Sequence, residues 1–157
     1  MNTVYCMKIF RLCKSRYSQD LSGHGAELSG GRWNSKGSPV TYASETISLC
    51  IAEIVVHFPL GMIPENYVLV TIEIPDELVK VLEINSLPDP WRNYPHSRLT
   101  QEIEDKFLTN NEFLVLKVPS AVVPQESNLL INPNHKDFNR IKLLAVEPYT
   151  FDERLFR

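Results

Sequence analysis

Alternating apolar and polar positions mark out the strands of this 157-residue chain. The clearest case is residues 67–74 (YVLVTIEI), which alternate over a typical strand length. Other runs rich in β-branched and aromatic residues predict about eight strands in all. These further runs are residues 5–12, 40–43, 78–84, 113–118, 121–124 continued after a small break by 127–131, 141–146 and 149–151. With two main helices, the pattern predicts a β-rich α+β fold.

The first main helix is predicted from Ser44, a good N-cap, to Phe58, after which Pro59 ends it. Apolar residues form a stripe along one face and also occupy the far side, so the helix is predicted to be buried on two sides. A narrow polar line between these surfaces carries Glu53, the only acid in the helix interior.

A carboxylate in such a helix needs a cleft, a partner or a proton. Glu53 is therefore a candidate functional residue. Pairing with His57, one turn further on, is an equally good structural explanation.

A second helix is predicted from the cap residue Ser97 to Phe107, and its pattern indicates a structural role. The segment before it, residues 87–95, contains three prolines and must be irregular. Trp91 and Tyr94 in this segment could line a ligand site, although aromatic residues that cover a surface loop are the commoner case.

Glycine is concentrated in one region, because five of the six glycines lie between Gly23 and Gly37. Glycine permits positive φ angles and close approach of a ligand to the backbone. Residues 14–31 are predicted to form a long functional loop. Residues 32–34 and 40–43 are predicted to form a hairpin after it.

Composition sets the broad class. Hydrophobic residues make up 43% of the chain, and no apolar run could span a membrane. The N-terminus lacks the features of a signal peptide, so we expect one cytoplasmic domain over residues 1–157. The net charge of −3 argues against direct nucleic-acid binding. A basic patch could still form from Lys8, Arg11, Lys14 and Arg16, with a solvated face as the simpler explanation.

The three cysteines, Cys6, Cys13 and Cys50, are widely spaced and include no CxxC pair. This spacing argues against a zinc site or a disulfide framework and predicts buried thiols. We expect no bound metal.

The glycine-rich region and the first helix together suggest a nucleotide-like ligand. Arg32 could bind a phosphate, and the rings of Trp33 and Tyr42 could stack on a flat heterocycle. Glu53 could stabilise an oxocarbenium-like transition state as a glycosidic bond breaks. Ser120 lies where a strand ends, so its hydroxyl either faces a ligand or bonds within its own turn.

Two stretches, GHGAELSGGRWNSKG and VTYASETISLCIAEIVVH, resemble the signature of the RES family, the toxins of bacterial RES–Xre toxin–antitoxin pairs. The Arg, Glu and Ser that give the family its name match Arg32, Glu53 and Ser120. Arg11 in the IFR segment and Tyr42 in VTYAS match as well.

The resemblance implies an ADP-ribosyltransferase-like split β-sandwich core with a few flanking helices and with NAD+ as the substrate in its cleft. Arg11 and Arg32 would hold the phosphates, and Trp33 and Tyr42 would contact the bound nucleotide, with Tyr42 at the nicotinamide end. Glu53 would stabilise the ribosyl cation. Ser120 would complete the pocket wall or position the attacking group.

The implied activity is cleavage of NAD+ by water or phosphate, which would arrest growth. Alternatives are mono-ADP-ribosylation of a cellular protein and a module that only binds nucleotide or a partner. The resemblance also implies an Xre-type helix-turn-helix antitoxin as partner. A homodimer is possible, and neither nucleic acid nor membrane is expected as a direct partner.

Overall fold

A computed structural model of the chain describes residues 3–157, which form seven strands and three α-helices. The strands are β1 (Cys6–Lys14), β2 (Thr41–Ser44), β3 (Tyr67–Pro75), β4 (Val79–Val81), β5 (Val115–Pro119), β6 (Ser127–Ile131) and β7 (Lys142–Tyr149). The helices are α1 (His24–Ser29), α2 (Ile47–His57) and α3 (Arg98–Asn110). The predicted α+β class is confirmed.

The described strands form one mixed sheet in the order β4-β5-β6-β2-β1-β3-β7. Only β4 and β5 run parallel, and the other neighbours are antiparallel. β7 lies at one edge, which explains why Pro148, which has no N–H to donate, is tolerated within a strand.

The sheet is nearly divided at its centre. β1 pairs with β3 along all nine of its residues, from Cys6 to Lys14. By contrast, β1 pairs with β2 through a single residue pair, Phe10 and Ser44. This weak junction separates a half made of β4, β5, β6 and β2 from a half made of β1, β3 and β7, as a split sheet requires.

Apolar side chains form three buried clusters around this divided sheet. One lies along β1, β3, β5 and β6. A second contains Trp33 and Trp91 and packs under α3. The third packs α2 against β1 and β3, with Phe151 and Phe156 from the C-terminal segment closing it. The elements that border the central junction are therefore each anchored in a core.

The prediction of a long loop and a hairpin before β2 is wrong. Residues 14–31 contain the helix α1, and residues 32–34 form no strand. β2 instead pairs with β6, while the backbone before it folds on α1 through a bond from Gly37 N to Glu27 O (2.8 Å). The turn residues in this stretch favoured a local hairpin, so the pairing of β2 with the distant strand β6 could not be predicted from the sequence.

The N-cap of α2 is Thr46, whose hydroxyl accepts a bond from Leu49 N at 3.0 Å. Ser44, the predicted cap, is instead the last residue of β2. The predicted apolar stripe does pack on the third cluster, but the far side is buried only in part, since Leu49 is 1% and Val56 55% exposed. That side borders the cavity described below.

Other predicted boundaries also need correction. Residues 121–124 make bends rather than a strand, and 78–84 shrink to the short strand β4 after a 3₁₀ turn. The two predicted C-terminal strands are one, β7. Cys6 is exposed and Cys13 half-buried, so only Cys50 is a buried thiol as predicted.

Candidate active site

A cavity of about 1170 Å³ opens where β1 and β2 part. β1, β2 and α2 form its base, and the glycine-rich region, the 92–96 segment and residues 121–122 surround it. Just beyond the single β1–β2 pair the two strands no longer pair, and Arg11 and Tyr42 line the cavity there. Five of the six predicted site residues lie in the cavity wall, namely Arg11, Arg32, Trp33, Tyr42 and Glu53. The sixth, Ser120, does not.

Glu53 is fixed in this cavity through one of its two oxygens. Its Oε1 accepts hydrogen bonds from Ser120 Oγ (2.8 Å) and Asn128 Nδ2 (2.7 Å). Ser44 Oγ in turn donates to Asn128 Oδ1 at 2.7 Å, which sets the orientation of the amide. Glu53 Oε2 forms no hydrogen bond with any residue from 3 to 157. The carboxylate is therefore oriented by the protein and keeps one oxygen for a ligand.

Ser120 lies behind Glu53 rather than in the cavity wall. It is completely buried, and its hydroxyl oxygen accepts bonds from Val122 N and Val123 N, each at 3.0 Å. Because these two N–H groups occupy the oxygen, its proton points to Glu53. The hydroxyl therefore bonds within its own turn, as one of the two predictions had it, and reaches the site only through Glu53.

The alternative partner of Glu53, His57, is exposed at the end of α2, and no bond joins the two side chains in the described chain. Cys50, one turn before Glu53, is buried, and its thiol donates to Phe10 O at 3.1 Å. Burial raises the pKa of Cys50 to about 11, which disfavours the nucleophilic thiolate.

Arg32 and Arg11 approach the cavity from opposite sides of the junction. Arg32 Nη1 donates to the carbonyl oxygens of Trp91 (2.7 Å) and Asn93 (3.0 Å). Arg11 Nη1 donates to those of Tyr17 (3.2 Å) and Asp20 (3.0 Å). Within residues 3–157 neither guanidinium forms an ion pair with a carboxylate. Both therefore keep charge and donors for an anionic ligand.

The charge of Arg32 is perturbed by its surroundings. Partial burial lowers its pKa, and the guanidinium of Arg92 acts in the same direction, whereas Glu53 opposes the shift. The usual pKa of arginine is so high that Arg32 stays cationic at physiological pH. A positive charge thus lies close enough to Glu53 for the two to influence each other.

Tyr42 presents a neutral phenol. Its hydroxyl donates to Asn34 Oδ1 at 2.6 Å, and burial, with the nearby Glu104 as a second cause, raises its pKa further above the usual value. Asn34 is itself completely buried and donates from Nδ2 to Ala26 O (2.7 Å). The position of the Tyr42 ring is therefore tied to α1 and the loop that follows it.

Trp33 belongs mainly to the core. It is only 3% exposed, and its ring centroid lies 6.2 Å from that of Trp91 at an angle of 43°. A ligand in the cavity can contact only a small part of its indole. Tyr94, by contrast, is 87% exposed at the cavity rim.

α3 holds the Arg32 segment in place. Thr100 Oγ1 donates to Arg32 O, and Gln101 Nε2 donates to Gly31 O at 2.9 Å. The second helix, predicted to be structural, therefore positions one of the site residues. Its pattern contains no signal for this role, because the contacts span about 70 residues.

Three polar residues of the site were not predicted from the sequence: Asn34, Arg92 and Asn128. Asn128 could have been noticed, because it is a polar residue in the apolar strand β6 (SNLLI). Such a residue must be paired when it is buried. Arg92, in a proline-rich segment, carries no comparable signal.

Gly23 is required by the loop that borders the cavity. Its φ is +74°, and an added Cβ would lie 2.5 Å from Val40 N, which is main chain and cannot move away cheaply. We expect Gly23→Ala to lower the free energy of unfolding by about 1–3 kcal/mol. Gly25→Ala is the matched control, since nothing lies within 4 Å and alanine favours α1.

Urea unfolding of both variants tests this prediction. Gly25→Ala should be as stable as the unmodified protein or more stable by up to about 1 kcal/mol. Equal stability of the two variants would contradict the strained geometry assigned to Gly23.

Within residues 3–157, none of the helices is both long and apolar enough to cross a bilayer. In the same part of the chain, no three His, Cys, Asp or Glu side chains are placed to share a metal ion.

Comparison with known proteins yields one family. The model of the RES domain matches residues 8–152. A protein of Sphingobium sp. (strain YBL2) named Prs ADP-ribosylating toxin is 39% identical over 143 residues, covering 89% of this chain and 89% of that protein. A protein of Photorhabdus laumondii named Toxin Res is 35% identical over 153 residues, covering 96% and 98%.

Another Toxin Res, from Yersinia enterocolitica, is 38% identical over 152 residues, with coverage of 95% and 99%. Among solved structures, a chain of the M. tuberculosis MbcT–MbcA toxin–antitoxin complex superposes with a TM-score of 0.75. That similarity covers 94% of this chain and 86% of the other at 19% identity, so it bears on the fold alone.

Proposed function

The chain belongs to the RES-domain family, and on this basis we propose that it is a toxin that cleaves the bond between nicotinamide and ribose in NAD+. The full-length similarity to proteins named as toxins supports the biological role. The chemical part of the proposal comes from the cavity and the side chains in its wall.

The observation that carries the proposal is the state of Glu53. Two donors, Ser120 and Asn128, hold Oε1, and Oε2 is left for a ligand inside a large cavity. A carboxylate fixed in this way is pre-organised to face positive charge that develops on a substrate. The carboxylate needs little reorientation when the charge appears.

Cleavage of NAD+ creates such a charge. As the bond between ribose C1 and the pyridinium nitrogen breaks, its electron pair goes to nicotinamide, which leaves neutral, and the ribose becomes oxocarbenium-like. Glu53 Oε2 accepts a hydrogen bond from a ribose hydroxyl and stabilises the cation. Water then adds to C1 and releases a proton, which gives ADP-ribose; phosphate adds instead to give ADP-ribose 1-phosphate.

The other predicted residues bind the rest of the substrate. Arg11 and Arg32, which have no carboxylate partner among the described residues, contact the diphosphate. The neutral ring of Tyr42 positions the nicotinamide end, and the edge of Trp33 adds apolar contact. Ser120 acts through Glu53, because it is buried behind the carboxylate.

ADP-ribosylation of a cellular protein is the second candidate activity. The name of the Sphingobium relative, Prs ADP-ribosylating toxin, favours it. The same cleavage chemistry would serve, with a protein side chain as the acceptor in place of water or phosphate. A module that only binds a nucleotide is the non-catalytic alternative.

Incubating the purified protein with NAD+, with and without phosphate, tests the proposal. Proton NMR should show free nicotinamide, and the second product identifies the acceptor as water or phosphate. In the alternative reaction, the intact mass of a candidate protein would increase by the mass of one ADP-ribosyl group. If folded protein releases no nicotinamide under any of these conditions, the proposed cleavage is wrong.

We also propose an antitoxin partner of the Xre type, with a helix-turn-helix part, and a cytoplasmic location where NAD+ is available. The structural similarity to a chain of a toxin–antitoxin complex supports an antitoxin partner. The Xre type is what the resemblance to RES–Xre pairs implies. A homodimer would be compatible with the exposed edge strands β4 and β7.

Co-expression with the product of a neighbouring gene tests the pairing. We expect growth to recover and the two proteins to co-purify. Growth arrest that persists despite comparable amounts of both proteins would refute it.

A further inference from the structure

Arg92 is a third arginine in the cavity wall that the proposed cleavage has not used. It sits in the proline-rich segment, at the end of a short 3₁₀ turn (Asp89–Arg92). The segment is not a free surface loop, because Leu87 and Trp91 are both buried in the second apolar cluster. The position of Arg92 is therefore defined by the core.

Arg32 and Arg92 are brought together by two separate contacts. The indoles of Trp33 and Trp91 pack on each other, and each tryptophan is the chain neighbour of one of the arginines. In addition, Arg32 Nη1 bonds the carbonyl oxygens of Trp91 and Asn93, the residues on either side of Arg92. Arg32 therefore binds the backbone of the segment that carries Arg92, and both arginines line the cavity.

Both guanidiniums keep free donors. Arg92 Nε donates to Ala121 O at 3.1 Å, which fixes the side chain and leaves its two terminal nitrogens without a partner in residues 3–157. The described ion pairs include neither arginine. Burial is the main cause that lowers the pKa of Arg32; Glu53 opposes the shift, and the charge of Arg92 adds to it, so the two arginines are close enough to repel each other.

The cavity as a whole is basic within an acidic protein. Its wall contains three arginines, Arg11, Arg32 and Arg92, against two acids, Asp20 and Glu53. The chain carries a net charge of −3. Neither Arg32 nor Arg92 is ion-paired with a carboxylate, so an anion with several oxygens would reduce the repulsion between the two and satisfy their free donors.

We infer that Arg32 and Arg92 together form a binding site for a phosphate group next to Glu53. Ala121, which holds Arg92, follows Ser120, which holds Glu53, so the site lies beside the carboxylate. The phosphate belongs either to the diphosphate of NAD+ or to inorganic phosphate that acts as the acceptor. The role of this site in NAD+ cleavage rests on the proposed function. Its affinity for phosphate is inferred from the cavity alone.

Calorimetric titration of the full chain with inorganic diphosphate and with inorganic phosphate tests the site without any turnover. We expect at least one of them to bind, and Arg92→Ala to weaken that binding about 10-fold or more. Arg92→Lys should retain part of the affinity, since it keeps the charge without the fork of donors. Arg98→Ala, an exposed arginine outside the cavity, is the matched control and should bind like the unmodified protein.

Competition identifies the source of the phosphate. Displacement of the bound anion by ADP-ribose assigns the site to the substrate diphosphate, and simultaneous binding assigns it to the acceptor. Absence of binding to the unmodified protein, or equal binding by a folded Arg92→Ala variant, would overturn the inference. Intact anion binding with no NAD+ cleavage would count against the proposed function alone.

Discussion

Glu53→Gln should lower the rate of NAD+ cleavage by about 10²–10³-fold while the protein stays folded. The amide keeps an oxygen in the place of Oε1, so Ser120 and Asn128 can still donate to it. It removes the negative charge that faces the developing cation. The loss is therefore expected in the chemical step rather than in NAD+ binding.

Steady-state kinetics, with thermal unfolding as a check on folding, measure this effect. Glu102→Gln is the matched control, because it removes an exposed carboxylate on α3 outside the cavity and should be fully active. A Glu53→Gln variant that keeps the original rate constant would remove the carboxylate from the mechanism.

Glu104 should make the protein less stable as pH rises from about 5 to about 9. It is completely buried on α3, and neither carboxylate oxygen has a hydrogen-bond partner in the described chain. Burial, with the charge of Asp105 as a second cause, raises its pKa from 4.5 to about 8. The side chain is therefore a neutral acid at neutral pH in the folded protein.

The sign of the effect follows from this shift. In the unfolded chain Glu104 loses its proton near pH 4.5, but in the folded protein only near pH 8. Between these values the folded state binds more protons, so the free energy of unfolding falls as pH rises, by on the order of 5 kcal/mol for this group.

Urea unfolding at several pH values isolates the contribution of Glu104. Glu104→Gln stays neutral and should lose this part of the pH dependence, so that the variant is the more stable protein at pH 8.5. Glu102→Gln, two residues away and exposed, should retain the original pH profile. Parallel profiles for Glu104→Gln and the unmodified protein would show that Glu104 ionises normally in the folded state.

Local patterns were enough to predict several elements of the fold. Strand β3 and the N-cap Ser97 of α3 are close to their predicted positions. The apolar stripe of α2 packs on the core as its spacing required. In each case the interactions that determine the element join residues close together in the chain, so the spacing of apolar residues predicts it.

The candidate site is built from contacts between residues far apart in the chain, which the spacing of apolar residues cannot predict. Asn128 meets Glu53 across 75 residues, and Arg92 meets Ala121 across 29. Glu53 itself was identified because an acid inside an apolar helix needs an explanation. The residues that orient it could be named only when the fold brought the strands together.

The region before β2 was mispredicted for a related reason. Turn residues around Gly37 predicted a hairpin, yet the side chain of Asn34 and the helix α1 satisfy the backbone there instead. A buried amide that bonds several carbonyl oxygens replaces a strand ladder without changing the local composition.

The central claim is that NAD+ binds in the cavity with its nicotinamide ribose at Glu53. A crystal structure of the Glu53→Gln variant with NAD+ tests this claim most directly. We predict a ribose hydroxyl within hydrogen-bond distance of residue 53 and the diphosphate against the arginines of the cavity wall. NAD+ bound elsewhere, or with its adenine end at residue 53, would contradict the account.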